Sequence, residues 1–212
     1  MMKNKIIPLL LCIFALSFSH AQQLVFKDKN FEKAVLENHD LNKDGKISSS
    51  EADGVENLFL MDKGITSVED VSYFKNARMI ILDQNNIPRI LLKDMDNIQL
   101  ISCAGSQVSV FTAENLKSLT SLYLDGNQIE NISLKSTPKI SQLTVSLNKI
   151  KMIDVSALQY LKKLNLEHNL IQQLDISSNI HLESLNIMKN PILEKDLKKG
   201  PGHVTIFGLN KP

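Results

Sequence analysis

The 212-residue sequence has no tryptophan, and aromatic residues make up only 5% of it. Recognition of bases or sugars by stacking therefore has few candidate side chains. A charge imbalance is also missing. The 24 Lys and Arg stand against 23 Asp and Glu, a formal charge of +1, so nothing suggests the basic face that nucleic-acid binding requires. Glycine-rich phosphate loops and nucleophile elbows are absent. His39, His168, His181 and His203 show no metal-ligand spacing with cysteine or with one another. Beyond residue 18 no apolar run is long enough to span a bilayer. What remains is 43% hydrophobic and 22% charged, ordinary values for a folded domain rather than a disordered chain.

The first residues read as an export signal. Lys3 and Lys5 form a basic start, residues 6 to 18 are apolar apart from Pro8 and Ser17, and Ser19-His20-Ala21 offers small residues at the −3 and −1 positions of a cleavage site. The apolar run, about 13 residues, is too short for a core of ~30 Å. Leu11 is not the small residue that lipidation of Cys12 would need. The mature chain is expected to begin at Gln22, to be secreted or held at a cell surface, and to contain no membrane span. Losing Lys3 and Lys5 leaves 22 basic residues against 23 acidic ones, net −1. Only Cys103 remains, so no internal disulfide is available and the fold must rest on its core or on a metal.

A repeat fills most of the rest. Leu119, Leu122, Leu124, Asn127, Ile129 and Ile132 return 21 residues later as Ile140, Leu143, Val145, Asn148, Ile150 and Ile153. The pattern continues through Asn169 to Asn190, and runs backwards through Ser106 and Asn85 to Lys63, the first step being 22. Seven repeats result, over residues 55–195. Each alternating L-x-L is a short strand with one face inward. No repeat can bury its own apolar side, so neighbours must stack.

This L-x-x-L-x-L-x-x-N-x-L pattern resembles the leucine-rich-repeat family. The resemblance implies an α/β, right-handed solenoid with short parallel strands on its concave face. It also implies that the recurrent Asn is buried, its amide bonded to the main chain of adjacent turns. Lys63 and Ser106 depart from it, so the ladder is expected to be weaker in the first and third repeats. A 21-residue period leaves little room for convex helices. Segments such as 112–119 and 133–140 are expected to be irregular or one-turn helical, with 71–76 and 156–161 the most helical. Residues 196–212 are expected to form a C-terminal cap, with 204–207 as a degenerate eighth strand preceded by Lys195, Lys198 and Lys199.

Residues 22–54 do not repeat. Residues 31–37 read as a short amphipathic helix with Asn30 as N-cap. The stretch from Asp40 to Glu51 then matches D-x-[DN]-x-[DN]-G-x5-E and resembles an EF-hand loop. Asp40, Asn42 and Asp44 offer side-chain oxygens at alternate positions, Lys46 its carbonyl, Ser48 a direct or water-mediated oxygen, and Glu51 a bidentate carboxylate. Gly45 permits the sharp turn, and Ile47 ties the loop to a core. One Ca²⁺ is expected. No second such loop exists, which favours a structural ion over a cooperative sensor. A cap of this kind followed by short repeats resembles secreted bacterial surface proteins of internalin-like type, and implies that the repeats are a binding surface. This sequence departs from that group in having neither a sorting motif nor an immunoglobulin-like module after the repeats.

The strand formula places Phe59, Met61, Met79, Ile81, Leu100 and Tyr123 outward on the concave face, the first five as one apolar surface. They are candidate anchors for a protein or peptide ligand, unless the cap covers them. Asp83, Asp125 and Glu167 share another outward column, about 10 Å apart at ~4.8 Å per strand. That spacing slightly exceeds the ~6.5–9.5 Å of an inverting glycosidase. The leading expectation is a non-catalytic binding module. An extracellular hydrolase using these acids and a purely structural envelope component are the alternatives.

Overall fold

The computed structural model describes residues 22–209. The expected export segment, residues 1–21, lies outside the described residues. Two short helices, α1 (Lys29–His39) and α2 (Ser49–Asp53), precede thirteen strands. In chain order these are β1 (Asn57–Phe59), β2 (Met79–Ile81), β3 (Arg89–Lys93), β4 (Leu100–Ser102), β5 (Val110–Glu114), β6 (Ser121–Tyr123) and β7 (Asn131–Lys135). They continue with β8 (Gln142–Thr144), β9 (Lys163–Asn165), β10 (Leu174–Asp175), β11 (Ser184–Asn186), β12 (Leu197–Lys198) and β13 (Thr205–Phe207). The chain is a leucine-rich-repeat solenoid. A long parallel sheet runs β1-β2-β4-β6-β8-β9-β11-β13.

The sequence period sets the register of this sheet. Asn57 pairs with Met79, a step of 22, and every later neighbour is 21 residues on, as in Leu122 with Leu143 and Leu185 with Ile206. The central residue of each strand from Leu58 to Leu185 points inward and is buried. These side chains, with those of the opposite wall, fill one continuous core. Cys103 lies in that core, and burial pushes its thiol up to about 12. It is a protonated packing residue rather than a nucleophile.

Where the chain leaves each strand, its main-chain groups turn into the core and need partners. The recurrent asparagines supply them. Asn148 Oδ1 accepts from Ile129 N–H (2.8 Å), and its Nδ2 donates to Leu124 and Val145 carbonyls (3.0 Å each). Asn85, Asn127, Asn169 and Asn190 repeat this arrangement and are all buried. Ser106 is a partial substitute. Its hydroxyl donates to Leu82 carbonyl (2.8 Å) and accepts from Asn85 N–H (3.1 Å), but it has no second donor. Lys63 is exposed and pairs with Glu37 of α1 instead.

The opposite wall differs from the irregular chain expected of it. In repeats two to four it carries a second parallel sheet, β3-β5-β7, and repeats six and seven add the pair β10-β12. Leu91, Thr112 and Ser133 sit at the same position of β3, β5 and β7. The apolar alternation of Ile90 with Leu92, Phe111 with Ala113 and Ile132 with Leu134 gives these strands their inward face. The 71–76 stretch holds only a 3₁₀ turn at Glu69–Tyr73, and 156–161 is turns without a helix.

The N-terminal cap is stapled to the first repeat. Phe31, Ala34 and Val35, spaced for one helix face, are its buried residues. Phe31 packs with Phe26 and Phe74 at centroid distances of 6.0 and 5.9 Å, and Phe26 meets Tyr73 edge-on at 5.6 Å. The N-cap is Asp28, not Asn30. Asn30 lies inside the helix and donates to Gly64 carbonyl (2.7 Å). Asp28 is the better cap because one carboxylate serves two elements. Oδ1 accepts from Asn30 and Phe31 N–H, while Oδ2 accepts from Thr66 N–H, its hydroxyl and Ser67 N–H.

Asn148→Ala leaves Ile129 N–H without its acceptor, while the Leu124 and Val145 carbonyls keep Asn127 and Asn169 as donors, and should cost about 2–3 kcal/mol by denaturant titration. Ser106→Ala, which takes the acceptor from Asn85 N–H while the Leu82 carbonyl keeps Asn85 Nδ2, should cost about 1–2 kcal/mol. Burial alone would raise the pKa of Asp28, but the Phe31, Thr66 and Ser67 donors outweigh it and hold the group below its ordinary value. Its stabilising contribution is therefore present above the unfolded carboxylate pKa and is lost as pH falls through the folded one. Asp28→Ala should cost roughly 2–4 kcal/mol at pH 7, with the difference from wild type shrinking in acid melts.

Candidate functional site

The loop between the helices is folded by its own acceptors. Asp40 accepts from Asp44 N–H (3.2 Å) and Gly45 N–H (2.9 Å), Asn42 Oδ1 from Asp44 N–H (2.9 Å), and Asp44 Oδ1 from Lys46 N–H (2.9 Å). Lys43 and Gly45 take positive φ, 59° and 77°, a conformation that suits glycine at position 45. Glu51 closes the loop at the start of α2. Its Oε2 accepts from Ser48 N–H (2.8 Å) and its Oε1 from Leu41 N–H (3.0 Å), while Ser48 Oγ caps the helix in return. These donors, Ser48 first, hold the Glu51 carboxyl below its ordinary pKa.

The second half of the loop is paired with the N-terminal arm. Leu24 N–H donates to Ile47 carbonyl and Ser49 N–H to Gln22 carbonyl, both 2.9 Å, around an antiparallel bridge of Gln23 with Ser48. Ile47 is buried in the core, as its place in the loop implied. The pairing with 22–24 was not read from the sequence. The alternation of Leu24 and Phe26 was its only signal.

The loop's fitness for a cation can be judged from its donors. Asp40, Asn42, Asp44, the Lys46 carbonyl, Ser48 and Glu51 are all oxygen ligands of the kind a hard divalent ion takes. The main chain holds them in one ordered turn. Among the described residues, no three His, Cys, Asp or Glu side chains stand close enough together to hold a metal ion. The residues fit calcium in type and order, and the carboxylates would have to turn inward to meet it.

The long sheet carries the second candidate site. Phe59 is 58% exposed and Met61 49% exposed, so the cap does not cover them. Met79, Ile81 and Leu100 are half-buried on the same face. Register places Phe59 beside Ile81 and Met79 beside Leu100. Tyr123 continues the row past Ser102, and its hydroxyl donates sideways to Gln142 Oε1 (2.9 Å). A cleft of about 370 Å³ borders Phe59 and is otherwise lined by Asn38, His39 and residues 54–57. Burial pushes the His39 imidazole below its ordinary pKa.

The acidic column on this face stitches neighbouring repeats. Asp83 accepts from Ser102 Oγ (2.6 Å) and Ala104 N–H (2.8 Å). Asp125 accepts from Ser146 N–H (2.7 Å), the Ser146 hydroxyl and the Thr144 hydroxyl. Glu167 accepts from Asn186 Nδ2 (3.1 Å). Each acid is engaged by the next repeat.

Among solved structures the chain is similar to internalin C2 of Listeria monocytogenes, with 19% identity and a TM-score of 0.54, over 91% of this chain and 98% of that one. It also aligns with human 5T4, the Wnt-activated inhibitory factor 1, at 16% identity and TM-score 0.48, over 78% and 79%. A third alignment, to an internalin InlF of L. monocytogenes, has 14% identity and TM-score 0.32, over 85% and 91%. At such identities the likeness to internalin C2 shows the fold alone. No family model and no curated protein matches the sequence.

The exposure of the apolar row gives a direct prediction. Phe59→Ser with Ile81→Ser should leave the melting transition within about 1 kcal/mol of wild type, as substitutions outside the core do. A loss of several kcal/mol, of the size core truncation causes, would mean the pair is buried.

Proposed function

We propose that the protein is an exported, non-catalytic binding module. Its long sheet presents the Phe59, Met61, Met79, Ile81 and Leu100 patch to a protein or peptide partner, and its N-terminal loop holds one structural Ca²⁺. The exposure of Phe59 and Met61 beside half-buried Met79, Ile81 and Leu100 on one sheet face is the observation that carries this reading. Isolated exposed apolar residues are ordinary, but a contiguous row usually marks an interaction site. Phenylalanine and methionine are enriched at interface centres, where a few anchors supply most of the affinity. Tyr123 extends the row with a polar tip. Among the described residues no helix is long and apolar enough to cross a membrane. Export rests on the first 21 residues, and an intact mass beginning at Gln22 tests it.

The partner is sought by affinity capture from the native cell's surface and medium. The Phe59→Ser, Ile81→Ser chain should lose the captured protein, with binding weakened by ~2 kcal/mol or more. Equal capture by both chains would remove the patch from the function.

Calcium would bind through Asp40, Asn42, Asp44, the Lys46 carbonyl, Ser48 and Glu51. With three carboxylates, Lys43 adjacent and one loop alone, affinity should fall at the weak extracellular end, ~10⁻⁴ to 10⁻³ M. Free calcium at ten times Kd then contributes ~1.4 kcal/mol. Glu51→Gln should abolish the calcium-dependent rise in melting temperature while the repeats stay folded. A wild-type melting curve unmoved by calcium would reduce the loop to a turn.

A further inference from the structure

The opposite wall of the solenoid is interrupted at one place. β3, β5 and β7 pair in sequence, and β10 pairs with β12, but the segment 152–156 between them joins neither sheet. The missing bonds can be named from the repeat. Asp94 N–H donates to Glu114 carbonyl and Asn115 N–H to Lys135 carbonyl, both 3.0 Å. Among the described residues no counterpart joins Ser136 to Ser156. Ser109 N–H donates to Pro88 carbonyl and Glu130 N–H to Ser109 carbonyl. No counterpart joins Lys151 to Glu130.

Asp154 stands where Leu91, Thr112 and Ser133 stand in the three-stranded sheet. Its Oδ1 accepts Ser156 N–H (2.9 Å), a turn that Asp175 and Ser177 repeat at the end of β10. With no strand in 152–156, β7 is left as an open edge. Its inward side chains register the gap, since Ile132 and Leu134 are half-buried while Ile90, Phe111, Leu92 and Ala113 above them are buried. Beside β7 lies a cleft of about 530 Å³ with Ile132, Met152 and Leu170 as its apolar wall and Lys149, Lys151 and Glu130 on its rim. Met152 is 69% exposed. Neither lysine forms an ion pair among the described residues, in contrast to Lys93, which meets Glu114 across β3 and β5.

We propose that the open edge of β7 is a docking site for an extended, acidic segment of a partner protein, which adds as a strand between β7 and Met152. An unpaired strand edge selects an extended main chain, because only that conformation returns its hydrogen bonds. Alternation then sends one set of side chains down onto Ile132, Met152 and Leu170 and the other set outward. The two rim lysines form no ion pair and outnumber the cleft's one carboxylate, Glu130, so acids at the outward positions complete the charge match. Native proteins commonly blunt open edges with bulges or coverings. This edge has a lined cleft instead. The site is separate from the patch on the long sheet and does not depend on it.

The test uses the full chain and a panel of N-acetylated, fluorescein-labelled octapeptides that alternate valine or isoleucine with glutamate, read by anisotropy. A matched panel carries lysine for glutamate. Acidic members should bind at least about tenfold more tightly than their lysine counterparts. Lys149→Glu with Lys151→Glu should erase that preference, and N-methylation of alternate peptide amides should weaken binding about tenfold or more. Phe59→Ser with Ile81→Ser should leave binding unchanged, which separates this site from the one proposed above. The proposal is overturned if no acidic member binds below about 1 mM, or if the two panels bind equally. It is also overturned if the amides of 131–135 that face away from β5 are already protected without peptide, or if light scattering shows self-association that the acidic peptides displace.

Discussion

Everything in this fold depends on one buried side chain per turn. A repeat of 21 residues must leave its strand, cross the core and return, and in doing so it exposes N–H and C=O groups to an apolar interior. Each buried group without a partner costs about 1–3 kcal/mol. Asparagine answers with one acceptor and two donors on a short stem, enough to join the main chains of two successive turns. Asn127, for instance, accepts from Ser106 and Val108 and donates to Cys103 and Leu124. The constant period follows from this. A turn of different length would move the amide off its partners, and the only altered step, of 22, falls at the first repeat, where Lys63 replaces asparagine.

The N-terminal end solves a different problem, because its first strand has no earlier repeat to lean on. Two carboxylates hold the cap in place of the ladder. Asp70 is buried in the first repeat and its Oδ2 accepts from Lys27 and Asp28 N–H, at 2.9 and 3.0 Å. Asp28 reaches back to Thr66 and Ser67. The two therefore brace each other across the junction, over the Phe26, Phe31, Tyr73 and Phe74 cluster. Tyr73 also donates to Val25 carbonyl (2.8 Å), which leads the arm toward its bridge with the loop.

The repeat itself was legible to the residue, because leucine spacing and asparagine position are periodic signals that reinforce one another. So were the turn at Gly45 and the inward place of Ile47. The N-cap was misplaced by two residues, since Asp28 and Asn30 are both good caps by type and only the contact with Thr66 and Ser67 decides. The three-stranded sheet was not legible. Arg89–Lys93 and its equivalents alternate correctly for strands, but the alternation is blurred by apolar Leu91 and Val110 at outward places. The partial exposure of Phe59 and its neighbours was open for a related reason. Strand periodicity gives the direction of a side chain and says nothing about what lies above it.

The cap and the apolar row are physically continuous. Asn38 and His39 end α1, Gly54 follows α2, and all three line the cleft beside Phe59. The proposed ion would sit in the loop that joins these two helices. Its ligands run from Asp40, the residue after His39, to Glu51 inside α2. Drawing those ligands together would fix the distance between the helix ends, and so the wall of the cleft. A structural ion in this position would therefore stiffen one border of the binding surface without touching the partner. Holding the wall rigid before association reduces the ordering cost of binding. The two halves of the proposed function are in that sense one device, with the ion setting the shape against which Phe59 and Met61 are presented.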